Sequence, residues 1–374
     1  MTPGQLPLRL EEPGVIALPQ GLEPVRIRRV ARPFDAAGYL FESRWKGIRV
    51  LAAIERGKVS VRNRRLGELA SRFPEAQLLR DAAVEQPLLV EGELVVLDAR
   101  GRPDFDVLQH RLRLLDESLI DRESRERPAC FLAVDILFRG QRWLLGEPLS
   151  RRKRLLAEAL HASDFLYLSE PFEDEGRALF QATLDSDLEG IVAKPVASPY
   201  TPGTHGGGWL TVGKGSEELV VGGFNVFPGG GASEAELLLG SFDDTGRLTF
   251  VMTALPPPAE EARKELFAVL NAFQIDESPF GQPLPYLANW VRPEVVVTVD
   301  SEQREGSGAA VIQRVRLDVA PDECMLPIDA PSIATVTPNS RPKLTLLSTL
   351  PLPFQDGSAA SGARPVLRIL GGED

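Results

Sequence analysis

The chain has 374 residues, of which 43% are hydrophobic and 25% are charged, proportions typical of a folded protein. Its 42 basic and 53 acidic residues give a net charge of −11, which disfavours a general nucleic-acid-binding surface because affinity for phosphates depends on basic patches. No apolar run reaches the roughly 20 residues that span a membrane, and the first residues lack the charged and then apolar pattern of a signal peptide. Two cysteines are too few for a disulfide framework or a four-ligand zinc site.

We therefore expect a cytoplasmic protein of about two domains without membrane contact. Residues 1–38 form a Pro-punctuated lead-in with one short strand. Beyond Tyr39, short apolar runs rich in Val, Ile and Phe alternate with stretches of helical spacing. The predicted strands are Tyr39–Ser43, Ile48–Ile54, Lys58–Arg62, Leu88–Leu97, Cys130–Leu137 and Gly190–Lys194. The predicted helices are Glu75–Ala83, Asp104–Leu114, Arg151–Leu160 and Asp174–Asp185. The arginine-rich stretch from Arg111 to Arg127 is interleaved with acids, which predicts a solvated helix-and-loop face.

The pattern changes after residue 218. Five short strands with one helix predict a small Greek-key barrel of the OB type over residues 219–328. Its predicted elements are Leu219–Phe227, Leu237–Ser241, Leu248–Thr253, Pro258–Phe273 (the helix), Val295–Asp300 and Gln313–Asp318. Residues 329–374 are rich in Pro, Ser, Ala and Gly and are predicted to be a tail with little packing. Residues 219–374 carry a net charge of −9, whereas residues 1–218 carry only −2.

Five short segments occur in a characteristic order along the chain. They are Phe41–Arg49 (FESRWKGIR), Glu91–Glu93 (EGE), Phe105–Arg111 (FDVLQHR), Ala133–Leu137 (AVDIL) and Glu189–Lys194 (EGIVAK). Together they resemble the motifs of the ATP-dependent DNA ligase family, especially the compact bacterial ligases linked to end joining. The likeness runs from about Tyr39 to Pro327. It implies an α+β fold: an adenylation domain of antiparallel sheets and helices over residues 39–218, followed by the OB barrel.

The resemblance also implies a reaction in which ATP and Mg²⁺ serve nucleotidyl transfer. In the family a lysine amine attacks the α-phosphate of ATP, and AMP then moves to a DNA 5′-phosphate. Arg44 stands at the position of that lysine, and a guanidinium stays protonated with a delocalised lone pair, so it cannot do the same chemistry. Lys46 shares a strand face with Arg44, but its shift of about 6–7 Å exceeds what in-line attack tolerates.

Other positions match the family's binding residues. Glu93 matches a carboxylate that contacts ribose or metal, and Glu189 matches a metal-associated acid. Lys194 matches a phosphate-binding lysine. The resemblance further assigns Arg49 and Arg62 to the nucleotide and the DNA phosphate, and it places Val134 where an aromatic ring stacks on adenine. For each charged position the alternative is a buried ion-pair network without nucleotide contact.

Three lysines of the family are absent. Thr211 and Gly213 replace both lysines of a W-x-K-x-K motif, and Glu323 replaces a late lysine that orients pyrophosphate. At Glu323 the change reverses the sign of the charge, which turns attraction for a polyanion into repulsion.

Three hypotheses follow. The favoured one is a ligase-like protein that cannot adenylate itself and that binds a nucleotide, a DNA end or nick, or a DNA repair protein. The second is an active ATP-dependent DNA ligase that uses Lys46. The third is a protein-interaction scaffold without nucleotide binding, which the acidity of residues 219–374 favours.

Overall fold

The computed structural model of the chain describes residues 21–186, 188–213, 215–226, 235–285, 287–300 and 310–331. Most of the predicted tail, residues 332–374, and the first 20 residues of the predicted lead-in lie outside the described residues. Within the described ranges, no helix is long and apolar enough to cross a membrane.

Residues 21–213 form two sheets with five α-helices, and we call this part the two-sheet unit. Its strands are β1 (Arg28–Arg29), β2 (Tyr39–Arg44), β3 (Ile48–Glu55), β4 (Lys58–Asn63), β5 (Gly67–Glu68), β6 (Leu88–Val96), β7 (Ala129–Arg139), β8 (Arg142–Trp143), β9 (Leu166–Leu168), β10 (Phe172–Glu173), β11 (Gly190–Pro195) and β12 (Leu210–Gly213). Its helices are α1 (Leu79–Ala82), preceded by a 3₁₀ turn at Pro74–Leu78, then α2 (Phe105–Arg113), α3 (Glu117–Glu126), α4 (Leu149–Ala159) and α5 (Gly176–Asp185).

The two sheets face each other across a cleft. One has the strand order β1-β12-β11-β2-β10, and the other has the order β5-β4-β3-β6-β7-β8, with β9 paired to β7. Because side chains alternate along a strand, β3 buries Ile48 and Val50 in the core of the second sheet and turns Arg49 and Leu51 toward the cleft. Leu51 packs there against Trp209 and other apolar residues of both sheets. The cleft thus contains an apolar cluster to which both sheets contribute.

Residues 216–328 form a closed barrel. Its elements are β13 (Ser216–Val226), β14 (Ala235–Phe242), β15 (Leu248–Leu255), α6 (Glu260–Ala272), β16 (Gln274–Ile275), β17 (Asn289–Val291), β18 (Val296–Asp300) and β19 (Ala310–Arg316), with a 3₁₀ turn at Pro321–Glu323. The ring closes because β13 pairs with both β14 and β18, while β15 and β19 complete the circuit. This is the five-stranded barrel with one helix that the sequence predicts.

The predicted fold class is confirmed, and the predicted strands and helices agree with the observed ones to within about three residues at most ends. One expectation was wrong. Arg111 does not lie on a solvated face: its guanidinium is fully buried, pairs with Glu75 and lies 4.5 Å from the centre of the Phe73 ring. Glu75 precedes Arg111 by 36 residues, so no local pattern reveals the pair.

Candidate functional site

A cavity of about 170 Å³ lies where the two-sheet unit meets the barrel. Its walls include the end of β2, parts of β3 and β6, the start of β13 and the segment after β19. Its charged lining contains equal numbers of arginines and carboxylates: Arg26, Arg29, Arg44, Arg49, Arg64, Arg316, Glu93, Glu189, Glu217, Glu218, Asp318 and Glu323. We call this space the arginine cavity.

Arg44 is held in the cavity by carboxylates from two parts of the chain. Its Nε lies 3.3 Å from Glu189 Oε2, and its Nη2 lies 3.4 Å from Glu218 Oε1 on the barrel. The backbone places the first pair, because the Glu189 amide donates to the Arg44 carbonyl beside the β2–β11 pairing. Burial lowers the pKa of Arg44, but Glu189 and Glu218 outweigh burial and raise it overall. The guanidinium is therefore a permanent cation here.

Lys46 lies outside the arginine cavity. It lines a neighbouring polar cavity of about 200 Å³ together with Glu189, Thr298 and Arg314. Burial raises the pKa of Glu189, and the positive charges of Arg44 and, more weakly, Lys46 oppose this rise. Arg44, and not Lys46, thus shares a cavity with Glu93.

Glu93 reaches the arginine cavity from β6. Its Oε2 atom is buried and has no hydrogen-bond partner. Burial raises the pKa of Glu93 to about 7, although Arg44 opposes the shift. The carboxyl comes so close to the β2–β3 turn that a Cβ atom added to Gly47 would lie 2.9 Å from Glu93 Oε2. A glycine at this turn is therefore needed for the approach of Glu93.

Arg49 and Glu91 form a tight pair beside this carboxyl. The Arg49 guanidinium donates to Glu91, which is fully buried, and to the Val25 carbonyl at 2.7 Å. It also lies 5.9 Å from the centre of the Trp209 ring. Arg49 thus lines the cavity, as the resemblance leads one to expect, but its charge is neutralised by an internal carboxylate.

Arg62 does not line the arginine cavity. It lies opposite Leu51 on the same face of the sheet and lines a more open cavity of about 960 Å³; its side chain is 46% exposed and its Nε is 3.6 Å from Glu68. Arg64, which sequence reasoning missed, enters the cavity instead and donates to both carboxylate oxygens of Asp322, at 2.7 and 2.6 Å. The Asn63 side chain accepts from the Arg65 and Leu66 amides, and this turn ends β4 before Arg64.

Lys194 lies deep between the sheets and not on the cavity wall. Its Nζ is 3.1 Å from Glu42 Oε1 and 4.2 Å from the centre of the Trp209 ring. A second lysine that sequence reasoning missed, Lys153 of α4, lies 2.7 Å from the other oxygen of Glu42. Burial raises the pKa of Glu42, but the two ammonium groups outweigh burial and lower it to about 2. Two cations thus share one carboxylate.

Val134 faces an apolar group and not the arginine cavity. It packs against a cluster that contains Val95, Leu132 and Tyr167. The small cavity beside this cluster, lined in part by Trp45 and Tyr167, has a volume of about 30 Å³. No aromatic ring stands at Val134 to stack on a base.

The barrel supplies the remaining charges. Arg316 lies between Asp318, at 2.8 Å, and Glu218, at 2.8 Å. Asp318 in turn accepts a hydrogen bond from Gln109 of α2 at 3.0 Å. Glu323, at the position of the family's late lysine, lies 3.4 Å from Arg64. A carboxylate therefore faces the arginines where the resemblance places a cation.

The residues present do not fit a Mg²⁺ site at Glu93 and Glu189. Among the residues that the structure describes, no group of three or more His, Cys, Asp or Glu side chains is arranged to hold a metal ion. The Arg44 guanidinium also acts on both carboxylates, and its positive charge opposes a second cation at the same place. A nucleotide is a different case, because guanidinium groups are the donors that phosphates prefer.

Comparison with known proteins agrees with the motifs. A family model described as "ATP dependent DNA ligase domain" matches residues 23–212, just over half of the chain. The chain therefore belongs to the ATP-dependent DNA ligase family, and the predicted resemblance is confirmed.

Individual relatives include two mycobacterial proteins. The chain is 29% identical over 298 residues to the multifunctional non-homologous end joining protein LigD of Mycolicibacterium smegmatis, an alignment that covers 78% of this chain and 37% of that protein. It is also 29% identical over 324 residues to DNA ligase C1 of the same organism, covering 81% of this chain and 92% of the relative. The chain thus spans little more than a third of the length of LigD but most of the length of the compact ligase.

A solved structure titled "mycobacterial DNA ligase D complexed with ATP and MES" is 26% identical in sequence. Its match has a TM-score of 0.47 and covers 80% of this chain and 98% of that chain.

Proposed function

We propose that this protein is a ligase-family member that does not adenylate itself and that binds a phosphate-bearing ligand, a DNA end or nick or a nucleotide, in DNA repair. The observation that carries the proposal is the position of Arg44. The residue aligned with the adenylated lysine is a guanidinium clamped between Glu189 and Glu218. Since its pKa is raised, it offers no lone pair to a phosphate.

The rest of the cavity supports loss of the first reaction step and retention of phosphate binding. Five arginines of the two-sheet unit line the cavity, and a DNA terminus or a nucleotide presents the anionic oxygens that they bind. The cavity fits a metal-assisted transfer poorly, because the positive charge of Arg44 acts on the carboxylates that would bind the metal.

We also assign the barrel to the OB type and divide the chain into two domains near residue 218, as the sequence predicts.

The relatives add a biological context to the proposal. LigD is by its name a non-homologous end joining protein, and DNA ligase C1 is by its name a DNA ligase. By analogy, we place this chain in the repair of DNA ends, with nicks or ends as its nucleic-acid partner and with other repair proteins beside it.

The first experiment tests self-adenylation. The purified protein is incubated with α-labelled ATP and either Mg²⁺ or Mn²⁺, denatured and examined for covalent label, with the M. smegmatis DNA ligase C1 as a positive control. We expect no label on this chain. A labelled band that disappears in Lys46→Ala would overturn the proposal in favour of an active ligase.

The second experiment tests ligand binding. A duplex with a nick and a 5′-phosphate is titrated with the protein at several salt concentrations, and we expect affinity to fall as salt rises. Arg64→Ala should weaken binding, whereas Arg125→Ala, on α3 with a side chain that is 77% exposed, is the matched control. If neither ATP nor nicked duplex binds at any salt concentration, the scaffold hypothesis replaces the proposed function.

A further inference from the structure

Around the arginine cavity, arginines of the two-sheet unit pair with carboxylates of the barrel, whereas the Arg314–Asp106 pair elsewhere on the junction has the opposite polarity. Asp322 of the barrel accepts two hydrogen bonds from Arg64 and lies 2.9 Å from Arg26 Nη2. Glu217 lies 2.5 Å from Arg29 Nη1, and Glu218 faces Arg44. In each of these cavity pairs the cation comes from the two-sheet unit and the anion comes from the barrel.

The formal charges of the arginine cavity follow the same division. The two-sheet unit contributes five arginines and two glutamates to the lining, a formal charge of +3. The barrel contributes one arginine and four carboxylates, a formal charge of −3. Closure of the barrel onto the two-sheet unit therefore neutralises the cavity completely. Without the barrel the lining would keep its formal charge of +3, of which Glu91 beside Arg49 and Glu23 beside Arg64 offset a part.

The geometry of the pairs is that of phosphate recognition. Arg64 holds Asp322 through two parallel hydrogen bonds, the arrangement that guanidinium groups form with carboxylates and phosphates alike. Glu323 adds a contact to the same guanidinium and also accepts from the Ala320 amide, which fixes the 3₁₀ turn that carries both acids. The barrel thus places two carboxylates, Asp322 and Glu323, against arginines of the two-sheet unit whose geometry also suits a phosphate.

We propose that Glu217, Glu218, Asp322 and Glu323 form a carboxylate latch, an internal anion that pairs with the arginines of the arginine cavity and holds the barrel closed. A phosphate-bearing ligand binds only after it displaces the latch and the barrel moves away. This inference rests on the proposed function for the identity of the ligand, but closure itself depends only on the four carboxylates and the arginines that they contact. The acidity of residues 219–374 then has a definite role: part of it faces the cavity and does not repel DNA from outside.

The latch has a direct reporter of opening. The Ile328 amide, just beyond the latch, donates to the Arg29 carbonyl at 2.9 Å and thereby joins the two parts of the chain. Opening of the barrel breaks this hydrogen bond, and its frequency is measured by hydrogen exchange of peptides that contain Ile328.

The experiment compares the full chain with a double variant, Asp322→Asn with Glu323→Gln. The control is Glu260→Gln with Glu261→Gln, which makes the same charge change on the outer helix α6, where Glu260 is 69% exposed. In the latch variant we expect exchange at Ile328 to accelerate about tenfold and the affinity for inorganic pyrophosphate and for nicked duplex to rise about tenfold at low salt. The control should change neither measurement by more than about twofold.

A charge exchange tests whether the specific pair matters. Asp322→Arg should accelerate exchange at Ile328 further, because two guanidinium groups then repel each other. Adding Arg64→Asp to that variant should restore slow exchange, although the doubly changed pair would no longer favour a phosphate.

The outcomes separate this inference from the proposed function. Unchanged exchange and unchanged affinity in the latch variant would overturn the latch, and wild-type binding of nicked duplex would then leave the proposed function in place. Faster exchange without binding of either probe would support the latch as a closing device and overturn the proposed function.

Discussion

The Arg44 guanidinium lies 3.3 Å from the Glu189 carboxylate, so two residues that the motif resemblance assigns to the reaction form an ion pair with each other. Both belong to strand pairing in the two-sheet unit, and Glu218 extends the pair into the barrel. The charge of Arg44 also acts on Glu93 and opposes the rise in the pKa of that carboxyl. Arg44 is therefore a structural centre of the arginine cavity, whatever ligand the cavity receives.

This arrangement makes Arg44 costly to remove. Arg44→Met removes the guanidinium that contacts Glu189 and Glu218, although Glu218 keeps Arg316 at 2.8 Å, and we expect the free energy of unfolding to fall by about 1–3 kcal/mol. The measurement is urea unfolding at neutral pH. Arg62→Met, in which a side chain 46% exposed loses a single pair with Glu68, should cost less than about 1 kcal/mol. Equal losses in the two variants would show that Arg44 has no central role in the cavity.

The sequence predicted Arg49 and missed Arg64 for a physical reason. Arg49 lies inside a regular strand, where alternation decides which face a side chain takes. Arg64 lies just beyond the end of β4, after the turn that Asn63 stabilises, and alternation does not describe its direction. Arg62, which the strand pattern selects, lies opposite Leu51 on the same face of the sheet, but it lines a different and more open cavity.

Contacts between distant segments limited the prediction in a second way. The strands, the helices and the barrel follow from periodicity because each depends on local patterns. The partner of Glu42, Lys153, lies on a helix far along the chain, and the partners of Arg44 and Arg64 lie partly on the barrel. The net charge of −9 on residues 219–374 correctly predicted that the barrel is acidic. It did not reveal that some of these acidic residues face the arginines of the two-sheet unit.

Two neighbouring arginines of α4 offer a second stability test. Arg152 is fully buried, pairs with the fully buried Asp135 at 2.9 Å and donates to the Ser198 carbonyl. Arg151, the adjacent residue, is 49% exposed and pairs with Glu147 at 3.0 Å. We expect Arg152→Met to lower the free energy of unfolding by about 3–5 kcal/mol, because the buried Asp135 loses the guanidinium that contacts both of its oxygens.

The control for this test is Arg151→Met. Since its pair is exposed to solvent and screened, its loss should cost less than about 1 kcal/mol. Urea unfolding of both variants, followed by far-UV circular dichroism, checks the prediction. A loss below about 1 kcal/mol for Arg152→Met would contradict the central place of this pair in the fold.

Glu93 predicts a dependence of stability on pH. Its pKa is raised by burial to about 7, above the ordinary value of 4.5, so the folded state binds the proton more tightly than the unfolded state. The stability contributed by the protonated group is fully present below about pH 4.5 and is lost as the pH rises toward 7. Above pH 7 the ionised carboxyl is a persistent cost.

Glu93→Gln removes this titration. We expect the variant to be more stable than the wild type at pH 8 by about 1–3 kcal/mol, with the difference shrinking as the pH falls to 5. Chemical unfolding at a series of pH values measures it, and a variant that tracks the wild type at every pH would contradict the raised pKa. A conservative comparison is Glu260→Gln on α6, whose exposed carboxyl should show no such trend.

Gly190 begins β11 directly after Glu189, and the backbone requires a glycine at this position. Its φ is +133°, and a Cβ atom added there would lie 2.0 Å from the Val212 carbonyl oxygen. Gly190→Ala must therefore strain the backbone and separate β11 from β12, and we expect a loss of about 2–5 kcal/mol. Gly146→Ala is the control, because a Cβ at Gly146 has no heavy atom within 4 Å. Because β11 also holds Glu189 beside Arg44, the Gly190 variant should accelerate hydrogen exchange at the Glu189 amide, and slow exchange there would contradict this link between the strand and the cavity.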